Sequence, residues 1–258
     1  EMKFFYASNV QDDLLSLKNL LIYAVKSKAS FVLLTNVITP QISAVELSSY
    51  RHAIQFMEEG FAKQTDFKDL KQFIKTFRQD TSGHILAKSA NKIMSIVEKG
   101  AIQLKDQARK TLRLLQACEI PIRIIPGQNE NVDLICTLVP ELRPFYLNVQ
   151  LDEISSVKIL GIGGLHKVDP EIPVQFQDNE YFEGGLDARE QITAILNEPI
   201  DVFVSFAPIK YKTDIGEEDF IRPLVNEYLP GKLILTSQSL LPQFDVHDKT
   251  ATDAILVR

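Results

Sequence analysis

The side chains in this sequence that could do chemistry at strand ends are mostly amides. Asn9 and Gln11 follow the apolar run Phe4-Phe5-Tyr6-Ala7, Asn36 follows Phe31-Val32-Leu33-Leu34, and Gln128 and Asn129 follow Ile122-Arg123-Ile124-Ile125. An amide offers two N–H donors and a carbonyl acceptor but carries no charge. Gathered at the carboxyl ends of neighbouring strands, the usual ligand crevice of an α/β sheet, such groups could hold a polar or anionic small molecule through their N–H donors. They could equally bond one another, because a buried amide left unpaired costs about 1–3 kcal/mol. Carboxylates are expected near the same edge, namely Asp12, Asp13, Glu130, Asp214 and Asp245, with His166 and His247 in neighbouring loops. They are the material for an improvised single-metal site. The plainer reading makes Asp12, Asp13 and Glu130 helix-start residues and the others solvated loop residues, since most metal sites need about four ligands or more.

Other catalytic arrangements are thin. Ser8, Ser205, Ser237 and Ser239 lie near strand ends, but no G-x-S-x-G elbow accompanies them. Cys118 and Cys136 sit in the apolar surroundings LLQACEI and DLICTLV and read as small core residues. Gly161-Ile162-Gly163-Gly164 reads as a structural turn, because its glycines are not spaced as a dinucleotide fingerprint.

The elements that must position these residues open as a βαβ unit. The strand at Phe4–Ala7 leads through a polar turn to a helix carrying Leu14, Leu17, Leu20, Leu21 and Ala24, with Asp12 and Asp13 at its start, and then to the strand at Phe31–Leu34. Continuous apolar strands of this kind belong to sheets covered on both faces. From about Ala44 to Ala117 the chain reads as almost pure helix. Its apolar stripes run through Leu47, Tyr50, Ile54, Met57 and Phe61, then Phe67, Leu70, Ile74 and Phe77, then Ile85, Ile93, Val97, Ala101 and Leu104, with breaks expected at Gly83 and Gly100. That stretch exceeds what one crossover needs, so part of it is expected to be a helical insertion or cap. Strands are expected at Ile122–Ile125, Phe145–Val149, Val157–Ile162, Val202–Ser205, Leu233–Thr236 and Ala254–Val257, with helices up to about Val139 and near Ala188–Leu196 and Phe220–Leu229. Short strands alternating with helices argue for a layered α/β fold.

Composition excludes several classes. The 258 residues are 45% hydrophobic and 24% charged, with a net charge of −6, which offers no general attraction to nucleic acid or anionic membrane. Two cysteines are too few for a disulfide scaffold. Signal-peptide features are missing and no apolar run reaches the roughly 18–20 residues of a membrane span, so a cytoplasmic compartment is expected. Glu1 ahead of Met2 reads as a remnant before the true start, and residues 2–258 are expected to form a single domain with residues 44–117 inserted in it.

In order, the strand ends resemble the motif loops of the calcineurin-like metallophosphoesterases, which carry D-x-H, GD, GNH[DE], a lone His near a proline, and GHxH. Asn9 and Gln11 stand at the Asp and His positions of the first motif. Thr35-Asn36 stands for GD, and Gly127-Gln128-Asn129-Glu130 matches the third motif with Gln for Asn and Asn for His. Val204-Ser205-Phe206-Ala207-Pro208 resembles the lone-His segment, and Leu235-Thr236-Ser237-Gln238-Ser239 the GHxH strand end, with no histidine in either.

The resemblance implies a four-layer α/β sandwich, two mixed β-sheets flanked by helices. It further implies a site at Asn9, Gln11, Asn36, Gln128, Asn129, Ser205 and Gln238 that lacks the carboxylate and imidazole ligands of a two-metal centre. Asn for Asp keeps the shape but removes the charge and adds donors that would face a cation. The expectation is a pseudoenzyme without cofactor, acting as a scaffold or binding a protein partner, a polar small molecule or a second copy of itself as a homo-oligomer. The alternative is a phosphoesterase or nucleotidase with a relocated or single-metal site.

Overall fold

Every strand foreseen as a short apolar run, apart from one, forms where its residues lie. The computed structural model describes residues 3–38, 54–55, 84–127, 130–163, 192–206, 227–229, 232–236, 246–249 and 254–257. In chain order these give β1 (Phe4–Ala7), α1 (Leu14–Lys26), β2 (Phe31–Thr35), α2 (His84–Gln116), β3 (Ile122–Ile125), α3 (Val132–Leu138), β4 (Gln150–Ile154), β5 (Val157–Ile162), β6 (Val202–Ser205), β7 (Leu233–Thr236), β8 (Val246–Lys249) and β9 (Ala254–Val257). One sheet has the order β3-β2-β1-β9-β8, parallel except for β8. The other has the order β4-β5-β6-β7, parallel except for β4.

Alternation along the strands builds the layers. Phe5, Ala7, Val32, Leu34, Ile122 and Ile124 turn outward onto α1, α2 and α3. Their neighbours Phe4, Tyr6, Phe31, Leu33 and Ile125 turn inward and meet Ile154, Val157, Ile159, Val202, Val204 and Leu235 of the second sheet. The far face of that sheet buries Leu160, Ile162 and Phe203 against Ile192, Leu196 and Leu229. Helix, sheet, sheet and helix follow one another, so the expected four-layer α/β sandwich is the observed architecture. Among the described residues no helix is long and apolar enough to cross a membrane.

Two local expectations are corrected. Gly100 does not break the helical stretch, because α2 runs unbroken from His84 to Gln116. Gly100 is buried on the same face as Val97, Leu104 and Ala108, so its missing side chain permits close packing, offsetting a propensity loss of about 1 kcal/mol. The strand expected at Phe145–Val149 is instead the end of a 3₁₀ helix, Pro140–Phe145, followed by a single parallel bridge from Tyr146 to Ile124. The prolines at 140 and 144 lock φ and remove donors, which suits a tight helical turn better than a ladder. The strand itself comes later, at Gln150–Ile154, joined to β5 by the two-residue turn Ser155-Ser156 with φ of 52° and 65°. Two serines are an unusual choice for a turn that usually carries Asn-Gly. The helices expected over most of 44–83 lie outside the described residues.

Asp13 caps α1 as expected: its Oδ1 accepts from the Ser16 amide at 2.9 Å and its Oδ2 from the Ser16 hydroxyl at 2.5 Å, bonds that hold its carboxyl below the usual range. Replacing it by alanine is expected to lower the stability of the protein by about 1 kcal/mol, read as a reduced melting temperature at neutral pH. Asp13→Asn, which keeps a capping oxygen, is expected to lose less.

Candidate functional site

At the carboxyl ends of β1 and β2 the backbone leaves the sheet through left-handed residues. Asn9 has φ 54°, Gln11 46°, Asp12 61° and Asn36 52°. Asparagine tolerates this region better than other side-chain-bearing residues, which gives one physical reason for amides at 9 and 36. The two loops then run alongside each other. The amides of Val10, Gln11 and Asp12 donate to the carbonyls of Thr35, Asn36 and Val37 at 3.3, 2.8 and 3.0 Å, and the Asn36 amide donates to Ile125 O at the end of β3 at 3.1 Å.

The side chains of Asn9 and Asn36 meet inside this stitched edge. Asn36 Nδ2 donates to Asn9 Oδ1 at 3.2 Å, and the Asn9 backbone amide donates to Thr35 Oγ1 at 3.2 Å. Both amides are buried, at 3% and 6% exposure. Asn36 Oδ1 has no hydrogen-bond partner among the described residues. It lies against Gly127, where an added Cβ would fall 2.1 Å from it, so only glycine fits.

The loops after β2 and β3 are held by Glu130, a fully buried carboxylate. Its Oε1 accepts from the amides of Val37 and Ile38 at 3.0 and 2.5 Å, and from the Tyr146 hydroxyl at 3.4 Å. Its Oε2 accepts from the Gly127 amide at 2.7 Å. Burial raises its pKa from 4.5 to about 7, against the three amides, which favour the charged form. Burial and the adjacent Glu130 push the Tyr146 phenol well up, so it remains a donor. Glu130 is enclosed on all sides and acts as an internal clamp, not as an acid that reaches a solute.

The second sheet brings its own strand ends to the same edge. Gly163, just past β5, is packed so closely on Pro126 that a Cβ would fall 2.4 Å from the proline Cγ, and its amide donates to Asn148 Oδ1 at 2.9 Å. Ser205 ends β6 in register with Ile162 and Thr236 and is fully buried.

Of the expected site residues, Asn9 and Asn36 are therefore in direct contact, and Gln11 is tied to them through its backbone. Ser205 lies at the ends of the second sheet's strands, and Gln128, Asn129 and Gln238 lie outside the described residues. The carboxylates scatter: Asp12 accepts from Gln107 Nε2 at 3.0 Å, Asp13 caps α1, and Glu130 clamps the loops. Asp214, Asp245 and His166 are outside the described residues, and His247 lies on β8 opposite Leu256. Among the described residues no three His, Cys, Asp or Glu side chains gather as a metal would require. Burial raises the Cys136 thiol, as a core cysteine requires. Glu130 is not the helix-start residue it was expected to be, since Asn131 caps α3 with its Oδ1 on the Leu134 amide at 2.7 Å. Tyr146 is the residue that the sequence does not signal at all.

The fold is that of an α/β sandwich with its candidate site where the ends of two sheets meet. No protein-family model matches the chain, and no curated protein matches it. Among solved structures, one crystal structure is similar to it with a TM-score of 0.55 at 10% identity, covering 98% of this chain and 88% of that one. The crystal structure of TT1561 of Thermus thermophilus is similar with a TM-score of 0.51 at 10% identity, covering 98% of this chain and 87% of that one. At this identity the likeness is one of fold.

Proposed function

We propose that this chain is a catalytically degenerate relative of the calcineurin-like metallophosphoesterases, acting as a binding or scaffold protein. The observation that carries the reading is the Asn9–Asn36 pair, two buried neutral amides bonded to each other across the ends of adjacent parallel strands. The family's chemistry clamps a phosphoryl group between two divalent metals about 3.5–4 Å apart, which requires carboxylate charge between them. The described residues do not fit that group. Among the described residues, the facing side chains Asn9 and Asn36 carry no charge, Glu130 has both oxygens engaged by backbone amides, and Asp12 accepts from Gln107. An amide-lined pocket comprising Asn9, Gln11, Asn36, Gln128, Asn129, Ser205 and Gln238 would instead take a polar small molecule. The region 44–117, which contains α2, is the surface offered to a protein partner or a second copy.

The test is a phosphatase assay on generic and nucleotide substrates with added Mn²⁺, alongside metal analysis of the purified protein. No turnover and no stoichiometric metal are expected. Turnover that disappears in Asn9→Ala or Asn36→Ala would overturn the proposal in favour of a phosphoesterase or nucleotidase with a relocated or single-metal site. Thermal-shift screening against nucleotides and phosphoesters then separates the two modes of binding: a shift lost in Asn36→Ala identifies a pocket ligand, and its absence directs the search to protein partners.

A further inference from the structure

The helices that cover the first sheet carry a surface that the strand-end loops do not use. α1 ends just before β2 and α2 just before β3, and those strands are parallel, so the two helices run in the same direction. They pack on each other, and Gln107 of α2 donates to Asp12 at the start of α1 at 3.0 Å, which sets α1 beside the last third of α2. α1 buries Leu17, Leu20, Leu21 and Ala24 and turns Leu15, Lys18, Ile22 and Lys26 to solvent. Leu15 and Ile22, 69% and 43% exposed, are two helical turns apart and therefore on one line of the outer face. Among the described residues six large hydrophobic side chains are exposed, of which four belong to α1 and a fifth, Ile102, to α2. Exposed apolar residues scattered singly are ordinary, but a concentration on two adjacent helices marks an interaction site.

The charge around this apolar line is of one sign. Together α1 and α2 contain nine basic residues and two acidic ones, leaving 19 basic and 32 acidic in the rest of the chain, so the net −6 divides into +7 and −13. Local acids do not cancel the excess. Asp106 is matched by Lys110 at 2.6 Å, Asp13 caps α1, and Asp12 accepts from Gln107. Lys18, Lys26, Arg109 and Arg113 are exposed, and none of the four forms an ion pair among the described residues. We infer that this face docks an acidic amphipathic helix of a partner protein, its apolar stripe on Leu15 and Ile22 and its carboxylates on those four cations. Two parallel helices offer the shallow groove along which a third lies, and the sign of the rim selects its flanking residues. A nucleic acid fits less well. The aliphatic line gives bases no stacking platform, the one aromatic ring beside it, Tyr23, standing at 80° to Phe5 with centroids 5.4 Å apart. The inference rests on the reading of the chain as a binding protein, and names the surface and the chemistry of the partner.

The probe is a synthetic peptide of about 20 residues, long enough to form a helix along the whole of α1, with leucines on one face and glutamates flanking them. It is titrated into the isotopically labelled full chain while backbone amide resonances are followed. Its glutamine-for-glutamate version, a DNA duplex and anionic lipid vesicles are the comparisons. The acidic peptide is expected to give saturable shifts on α1 and the last third of α2. It is expected to bind at least about tenfold more tightly than the glutamine version at low salt, and to lose that advantage as salt rises. Leu15→Asp is expected to weaken it about tenfold, and Lys18→Glu combined with Arg113→Glu by about as much. These positions are exposed, and an aspartate in the first turn of α1 suits the helix dipole, so an unchanged melting temperature confirms that the variants are folded. No saturable shifts on these helices, a glutamine peptide that binds equally well, DNA or vesicles that bind this face more tightly, or self-association that excludes the peptide overturns the inference. Peptide binding by a chain that also turns over phosphoesters would overturn the pseudoenzyme reading alone. Failure to bind the peptide in a chain without turnover would overturn this inference alone.

Discussion

Glu130→Ala is expected to lower the unfolding free energy by about 3–5 kcal/mol, more than any other single change at the strand ends. The variant leaves three buried backbone amides, those of Val37, Ile38 and Gly127, without an acceptor, and each orphaned donor costs about 1–3 kcal/mol. Denaturant unfolding measures the loss, and a loss below about 1 kcal/mol would show that water or relaxation replaces the clamp. The same residue sets a pH dependence of definite sign. Its pKa is 4.5 in the unfolded chain and about 7 in the fold, so between those values the folded state binds the proton more tightly. Stability is therefore greatest below pH 4.5 on this account and falls as pH rises to about 7, by an amount that corresponds to roughly 3 kcal/mol. Glu130→Gln removes the titration. The difference between wild-type and Glu130→Gln unfolding free energies should slope across that interval and level off above it, and a flat difference would contradict the assignment.

Gly127→Ala is the second large effect. The new methyl would lie 2.1 Å from Asn36 Oδ1, 2.5 Å from Cγ and 2.8 Å from Cβ, and because Cβ is itself too close, rotating the Asn36 side chain does not clear the clash. The backbone must shift, breaking the Asn9–Asn36 bond, at a cost of about 1–3 kcal/mol. Asn36→Gly removes the obstructing side chain and suits a residue with φ 52°, so it is expected to rescue much of the loss. A double-mutant cycle should give a coupling energy of about 1–3 kcal/mol between the two positions. Additive effects would mean that the two residues are not in contact in solution.

Much of this architecture is legible in the residues. β1, β2, β3, β5 and β6 are largely uninterrupted apolar runs, because a strand buried on both faces has no polar side to alternate with, and β7 is equally apolar although its Ile234 is 37% exposed. β4 is not legible: Gln150-Leu151-Asp152-Glu153-Ile154 is an edge strand, where charged residues are tolerated and even protective. The amides at 9 and 36 stand out as polar residues directly after apolar runs, but that they bond each other depends on which strands are neighbours. Glu130 is the instructive failure. Next to the cap Asn131 it looks like one more helix-start acid, and only the distant amides of Val37 and Ile38, 93 and 92 positions away, make it a clamp. Arg123 escapes notice for the same reason, since its partner Asp152 belongs to the other sheet.

The neighbours of β1 in the first sheet have a consequence for how the molecule is made. Phe4 to Ala7 pair on one side with Phe31 to Leu34, and on the other with Ala254 to Val257. A ribosome delivers the first partner almost at once and the second only after residues 35–253 have been made. Until then the nascent sheet has β1 as an open edge, a wholly apolar strand with one row of hydrogen-bonding groups unmet, which is the kind of surface that recruits strands from other chains. The position beside it is taken by β9, whose other neighbour is the antiparallel β8, so closure of the first sheet waits for a pairing distant in sequence and is a slow, non-local event.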